Sequence, residues 1–124
     1  MARRRAAVAI SMGVVLVVGL APASLGDTSR FRAVGCTDNP RFDPTVRRIS
    51  RGDRIVWKNR ASCTHTVHAY GRGWSKATTL SPGERTAKKF RRRGTYKFRC
   101  LIAGHSNLSE GVCSGMCGRV RVRR

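Results

Sequence analysis

From Val34 onward, apolar and polar residues alternate in short runs broken by Gly, Pro and Asn. The run Thr95-Tyr96-Lys97-Phe98-Arg99-Cys100 alternates strictly, so Tyr96, Phe98 and Cys100 share one face and point toward a core. Arg54-Ile55-Val56-Trp57-Lys58-Asn59 places Ile55 and Trp57 together in the same way, after a turn at Arg51-Gly52-Asp53. Thr45 to Ser50, the β-branched and aromatic run His65 to Tyr70, Lys89-Phe90-Arg91 and Gly118 to Val122 are further strand candidates. Ser24 to about Ala33 reads as a polar lead-in. No segment carries a helical period. About seven to eight short strands, with turn signals every 8–12 residues, predict an all-β antiparallel sandwich or barrel. The longest stretch without a predicted strand, Leu101 to Cys117, is dense in Cys, His and Met. Loops of that kind, held on a rigid scaffold, commonly carry function.

The chain has 124 residues, which fits one domain. Its first segment has a different character. Arg3, Arg4 and Arg5 precede an uncharged run from Ala6 to Leu20, and Ala21-Pro22-Ala23 follows with small residues. That layout is a secretory signal peptide over 1–23. The run is shorter than the ~20 residues a spanning helix needs. The predicted organisation is a signal peptide at 1–23, a lead-in at 24–41 and one folded domain at 42–124. The mature protein is expected to be extracytoplasmic, monomeric and free of a spanning segment.

Net charge is +20, and losing the three leading arginines leaves 23 basic against 6 acidic residues, or +17. Many basic residues alternate with apolar ones, as on the solvent face of a half-buried sheet. A charge of this size favours an acidic redox partner or an anionic envelope surface.

Five cysteines in a small exported chain suggest disulfides, and the odd count leaves one thiol over. Cys100 ends a strand, His105 follows five residues later, Met116 lies near the end of the same loop, and His65 starts an earlier strand. A sandwich brings such strand ends to one pole. A thiolate, two imidazoles and a thioether select copper, and the His₂Cys set with a weak axial Met is the blue-copper electron-transfer arrangement. His68 falls on the opposite face of its strand from His65.

These residues resemble the cupredoxins, specifically the plastocyanin/azurin-like type-1 copper domains, over about Phe42 to Val122. The resemblance is carried by Gly52-Asp53-Arg54-Ile55-Val56-Trp57-Lys58-Asn59, His65-Thr66-Val67, Gly94-Thr95-Tyr96-Lys97-Phe98-Arg99-Cys100 with His105, and Gly115-Met116-Cys117-Gly118-Arg119-Val120. It implies a Greek-key β-sandwich and one type-1 copper site held by His65, Cys100, His105 and Met116. It also implies that Asn59 braces the ligand loops and that electrons leave near His105. The loop is longer than is common in the family, with four residues between Cys100 and His105 and ten between His105 and Met116. The other four cysteines allow three pairings. Cys36–Cys63 with Cys113–Cys117 is favoured: the second is local and stiffens the loop around Met116, and the first pins the N-terminal segment beside His65.

The expected function is one-electron transfer by a copper carrier that is not an enzyme. Copper storage or delivery with the same ligands is the alternative. A remote one is a zinc-binding, nucleic-acid-binding protein using Cys100, His105, Cys113 and Cys117 as a Cys₃His set. That set leaves His65 unexplained, so no nucleic-acid partner is expected. Only His65, His68 and His105 are available, so a second His-rich copper centre cannot be built.

Overall fold

The computed structural model describes Gly13 and residues 26–124. The signal-peptide reading of 1–23 otherwise lies outside the described residues. Among the described residues eleven strands follow one another: β1 (Thr28–Val34), β2 (Arg41–Asp43), β3 (Val46–Ser50), β4 (Arg54–Asn59), β5 (His65–Tyr70), β6 (Ala77–Leu80), β7 (Arg85–Lys89), β8 (Gly94–Arg99), β9 (Ser106–Ser109), β10 (Val112–Gly115) and β11 (Cys117–Arg123). They form a four-stranded sheet β2-β1-β4-β7, a five-stranded sheet β3-β11-β8-β5-β6, and a separate β9–β10 hairpin.

Alternation explains the layers. Ile55, Trp57 and Asn59 of β4 are buried, as are Tyr96 and Phe98 of β8 and Val120 and Val122 of β11. The intervening positions are mostly charged and turned outward. The Phe98 ring lies at the centre of the core, edge-on to Phe31, Phe42 and Trp57 at centroid distances of 4.8, 4.9 and 5.3 Å. Such pairs add about 0.5–1.5 kcal/mol each beyond their area burial.

Four sequence expectations change, the first at Lys89-Phe90-Arg91, where the strand instead runs over Arg85–Lys89 as β7 and stops before Phe90. The stretch taken for a polar lead-in contains β1, whose Phe31 and Ala33 are fully buried between arginines. The sandwich is mixed rather than purely antiparallel, because β1 runs parallel to β4 and β3 parallel to β11. Leu101 to Cys117 is not strand-free, since it carries the β9–β10 hairpin.

One end of the five-stranded sheet matters most. Strand β8 runs antiparallel to both β5 and β11, with His68 opposite Arg99 and Arg99 opposite Cys117. The start of β5, the end of β8 and the start of β11 therefore meet at one pole.

Candidate metal centre

His65 is the first residue of β5, Cys100 follows the last residue of β8, and Met116 precedes β11. His65, Cys100 and Met116 are fully buried, while His105 is partly exposed. The Cys100 sulfur lies 3.7 Å from His65 Nδ1 and 3.6 Å from His105 Nδ1. One ligand atom from each residue falls within 4.8 Å of the other two. The imidazole rings sit 5.0 Å apart, tilted by 50°.

The surrounding backbone fixes this set. The Thr66 N–H points at Cys100 Sγ, 3.3 Å away. The Thr66 hydroxyl accepts from the Leu101 N–H at 2.7 Å and lies 3.8 Å from the same sulfur. Ser106 Oγ donates to the Cys100 carbonyl and takes a bond from Arg99 Nη1 at 3.3 Å. On the far side of the His65 ring, Nε2 lies 2.8 Å from the Gly35 carbonyl oxygen. A carbonyl cannot donate, so the ring proton sits on Nε2 and the Nδ1 lone pair is free to face Cys100. This is the orienting bond that a metal-ligating His requires. Burial, opposed by the Gly35 bond and reinforced by His105, holds the His65 pKa below its ordinary 6.5 and favours the neutral ring a metal needs.

Met116 reaches the pole through the hairpin. Register pairs Gly115 with Ser106 and Val112 with Ser109, leaving a two-residue turn at Glu110-Gly111. Both turn residues have positive φ, 50° and 77°, as the primed hairpin turns demand. The long insertion thus folds back on itself. Its ends close where Met116 N donates to His105 O at 2.8 Å and Cys100 N donates to Met116 O at 3.1 Å. A Cβ at Gly115 would lie 2.5 Å from the His105 carbonyl oxygen, so this closure needs glycine.

Cys36 is bonded to Cys63 and Cys113 to Cys117, and Cys100 is the free thiol. The Cys₃His zinc set therefore lacks two of its thiolates, because Cys113 and Cys117 bind each other. Asn59 is fully buried. Its Nδ2 donates to the carbonyls of Cys63 and Leu80 at 2.8 and 2.9 Å, and its Oδ1 accepts from Ala61 N at 2.9 Å. It ties down the turn that leads into His65. The structure thus gathers His65, Cys100 and His105 tightly and sets Met116 beside them. His68 lies on the outward face of β5, away from them. Gly35, Thr66 and Ser106 were not foreseen. Only Thr66, adjacent to His65 on an alternating strand, left any signal.

One thiol and two imidazoles with a neighbouring thioether residue, three of the four buried, form a soft set. It suits copper rather than a hard, oxygen-seeking ion.

No family model matches the chain, and no curated protein sequence matches it. Solved structures do. A purple cupredoxin from Nitrosopumilus maritimus aligns over 77% of this chain and 99% of its own, with TM-score 0.59 and 18% identity. A Cu(I) form of an amicyanin variant aligns over 77% of this chain and 82% of its own, with TM-score 0.60 and 16% identity. The Cu-containing nitrite reductase NirK from Thermus scotoductus SA-01 aligns over 81% of this chain, which spans 23% of that longer protein, with TM-score 0.60 and 22% identity. The sandwich described above, with its pole built from the ends of β5, β8 and β11, is therefore a cupredoxin fold.

Proposed function

We propose that this protein is an extracytoplasmic one-electron carrier that binds one type-1 copper through His65, Cys100, His105 and Met116. The observation that carries this reading is the convergence of Cys100 Sγ with the Nδ1 atoms of both histidines in a buried pole. Copper bound there supplies a Cu(II)/Cu(I) couple. The chain's own residues do the rest. Gly35 and Thr66 hold the His65 ring and the Cys100 sulfur in place from opposite sides, so the set need not rearrange between oxidation states. Burial of His65, Cys100 and Met116 keeps water from the ligands. His105, the one partly exposed ligand, provides the short path to a partner.

The partner is acidic. The outward face of β3, β11 and β8 carries Arg48, Arg119, Arg121, Arg123, Lys97 and Arg99, and register places Arg48 opposite Arg121 and Arg119 opposite Lys97. Like charges directly opposite on a sheet are destabilising in isolation. An acidic surface relieves that repulsion. No helix among the described residues is long and apolar enough to cross a membrane. Export through the segment 1–23, a monomeric state and the absence of catalysis on a substrate complete the proposal.

The test is optical. Cu(II)-loaded protein should show an intense visible thiolate-to-copper band that vanishes on reduction and is absent in Cys100→Ser. A colourless Cu(II) protein would overturn the assignment. A coloured protein that exchanges electrons with no redox partner would favour copper storage or delivery.

A further inference from the structure

The His65 imidazole has a second set of soft neighbours on the side away from Cys100. Its Nε2 lies 3.6 Å from Cys63 Sγ, and the sulfurs of Cys36 and Cys63 fall with a His65 ring nitrogen inside 4.8 Å of one another. In the structure those two sulfurs are bonded together, so neither is a thiolate. Both residues are partly exposed. An open pocket of about 370 Å³, lined by Gly35, Cys36, Thr37, Asp38, Ala61 and Ser62, gives a small thiol access to the disulfide from the Cys36 side.

We propose that the Cys36–Cys63 disulfide is a reducible gate over a second metal site. Once it is opened, Cys36, Cys63 and His65 Nε2 hold one Cu(I). A dithiol reductant supplies two electrons and two protons: the S–S bond breaks, two thiols form, and the reductant leaves as its own disulfide. Binding Cu(I) then releases the two thiol protons, and the copper keeps its oxidation state. Two thiolates and one imidazole select a soft ion. Closed zinc sites take four ligands, and the further donors beside these three are the Gly35 carbonyl oxygen and the Ser62 hydroxyl, both hard.

The site also acts on the first one. A neutral imidazole has one proton and one ring lone pair. Here the proton is on Nε2, given to Gly35, and the pair on Nδ1 faces Cys100. For Nε2 to bind copper the proton must move to Nδ1, and Cys100 then loses His65 as a co-ligand. Reduction of the disulfide therefore sets the two sites in competition for one ring. The second site stands on its own residues; only the competition rests on the copper reading above.

The experiment uses the full chain, reduced anaerobically with a dithiol, freed of reductant, and treated with iodoacetamide with or without Cu(I). Mass spectrometry reads all five cysteines separately. Cu(I) should slow alkylation of Cys36 and Cys63 at least about tenfold, as nine-tenths occupancy requires. His65→Gln should remove that protection. Cys100→Ser should keep it, which separates failure of this site from failure of the type-1 assignment. Equal alkylation with and without Cu(I) overturns the proposal. So does protection that survives His65→Gln, or equal protection of Cys113 and Cys117, which would mean that any nearby thiol pair suffices. If Cys100 reacts as fast as Cys36, the reduced chain has lost its fold and the gate does not exist. If His65→Gln does not fold, the wild-type map alone decides.

Discussion

Asn59→Leu should be among the most damaging single substitutions away from the ligands. Leucine has nearly the shape of asparagine, so the change removes polarity without opening a cavity. Three hydrogen bonds go at once: to the carbonyls of Cys63 and Leu80, and from the Ala61 N–H. A buried polar group left without its partner costs about 1–3 kcal/mol. The Leu80 residue is 1% exposed, so its carbonyl keeps the full penalty, while Cys63 and Ala61 are partly open and water recovers some of theirs. The expected loss is therefore about 3–5 kcal/mol. With a urea slope of about 2 kcal/mol/M, the midpoint falls by roughly 2 M. Asn59→Asp is the informative companion. It keeps the acceptor for Ala61 but turns a carboxylate oxygen toward two carbonyls, so it should cost at least as much. Equilibrium urea unfolding of the metal-free protein measures both. The copper-loaded Asn59→Leu protein should also bind copper more weakly, because the turn it frees leads into His65. A loss below about 1 kcal/mol for Asn59→Leu would refute the bracing argument, since even one unsatisfied buried group exceeds that.

Gly118→Ala should cost about 1–3 kcal/mol or more by overpacking, because the new Cβ would lie 2.4 Å from the Phe98 ring, which is itself wedged among Phe31, Phe42 and Trp57; a melting temperature equal to the wild type would contradict this. Burial, and after it the neighbouring Lys88, hold the Lys76 ammonium below its ordinary 10.5. The unfolded chain then binds more protons between that lowered value and 10.5, so the Lys76 contribution to stability rises with pH across this window. With Lys76→Met the urea midpoint should rise less, or fall more, with alkaline pH than in the wild type, and parallel slopes would count against it. The opposed Arg48–Arg121 and Arg119–Lys97 pairs predict that added salt stabilises the chain, since screening shortens the Debye length from ~30 Å at 0.01 M to ~10 Å at 0.1 M. A melting temperature indifferent to salt would show that these charges are already solvated apart. The same screening should slow electron exchange with an acidic partner, which stopped-flow measurements at varied ionic strength would read.

The strands that carry His65 and lead to Cys100, and β4 in the facing sheet, were legible because Arg54–Asn59 and Thr95–Cys100 alternate apolar residues with polar ones and His65–Tyr70 is rich in β-branched and aromatic residues. Arg54–Asn59 and His65–Tyr70 appear in the structure where the pattern put them, and the strand read at Thr95–Cys100 appears one residue earlier, at Gly94–Arg99. β1 was missed because Phe31 and Ala33 are its only fully buried members, set among arginines that look like a solvated tail. Its burial comes from parallel pairing with β4, a partner more than twenty residues away that no local pattern announces. The β9–β10 hairpin was missed for the opposite reason. Val112 is 71% exposed, so no apolar face is there to read, and the ribbon is defined by its turn and its ladder.

That hairpin decides how the ligand loop should be judged. Counted along the chain, ten residues between His105 and Met116 suggest a floppy connection in which a methionine could lie anywhere. Counted through hydrogen bonds, His105 and Met116 are neighbours, the next rung after Ser106 and Gly115. The ladder converts contour length into a lateral projection and leaves the base of the loop as short as a tight one. Cys113–Cys117 then links the returning strand to the start of β11, across Met116 itself. The closure entropy of the insertion is thus met locally, by the ribbon and its crosslink, and does not fall on the ligands. Folded in this way, the insertion leaves His65, Cys100, His105 and Met116 gathered at one pole. The ladder and its crosslink explain why residues of low hydrophobicity, with no core to enter, are nonetheless ordered into strands beside the ligands.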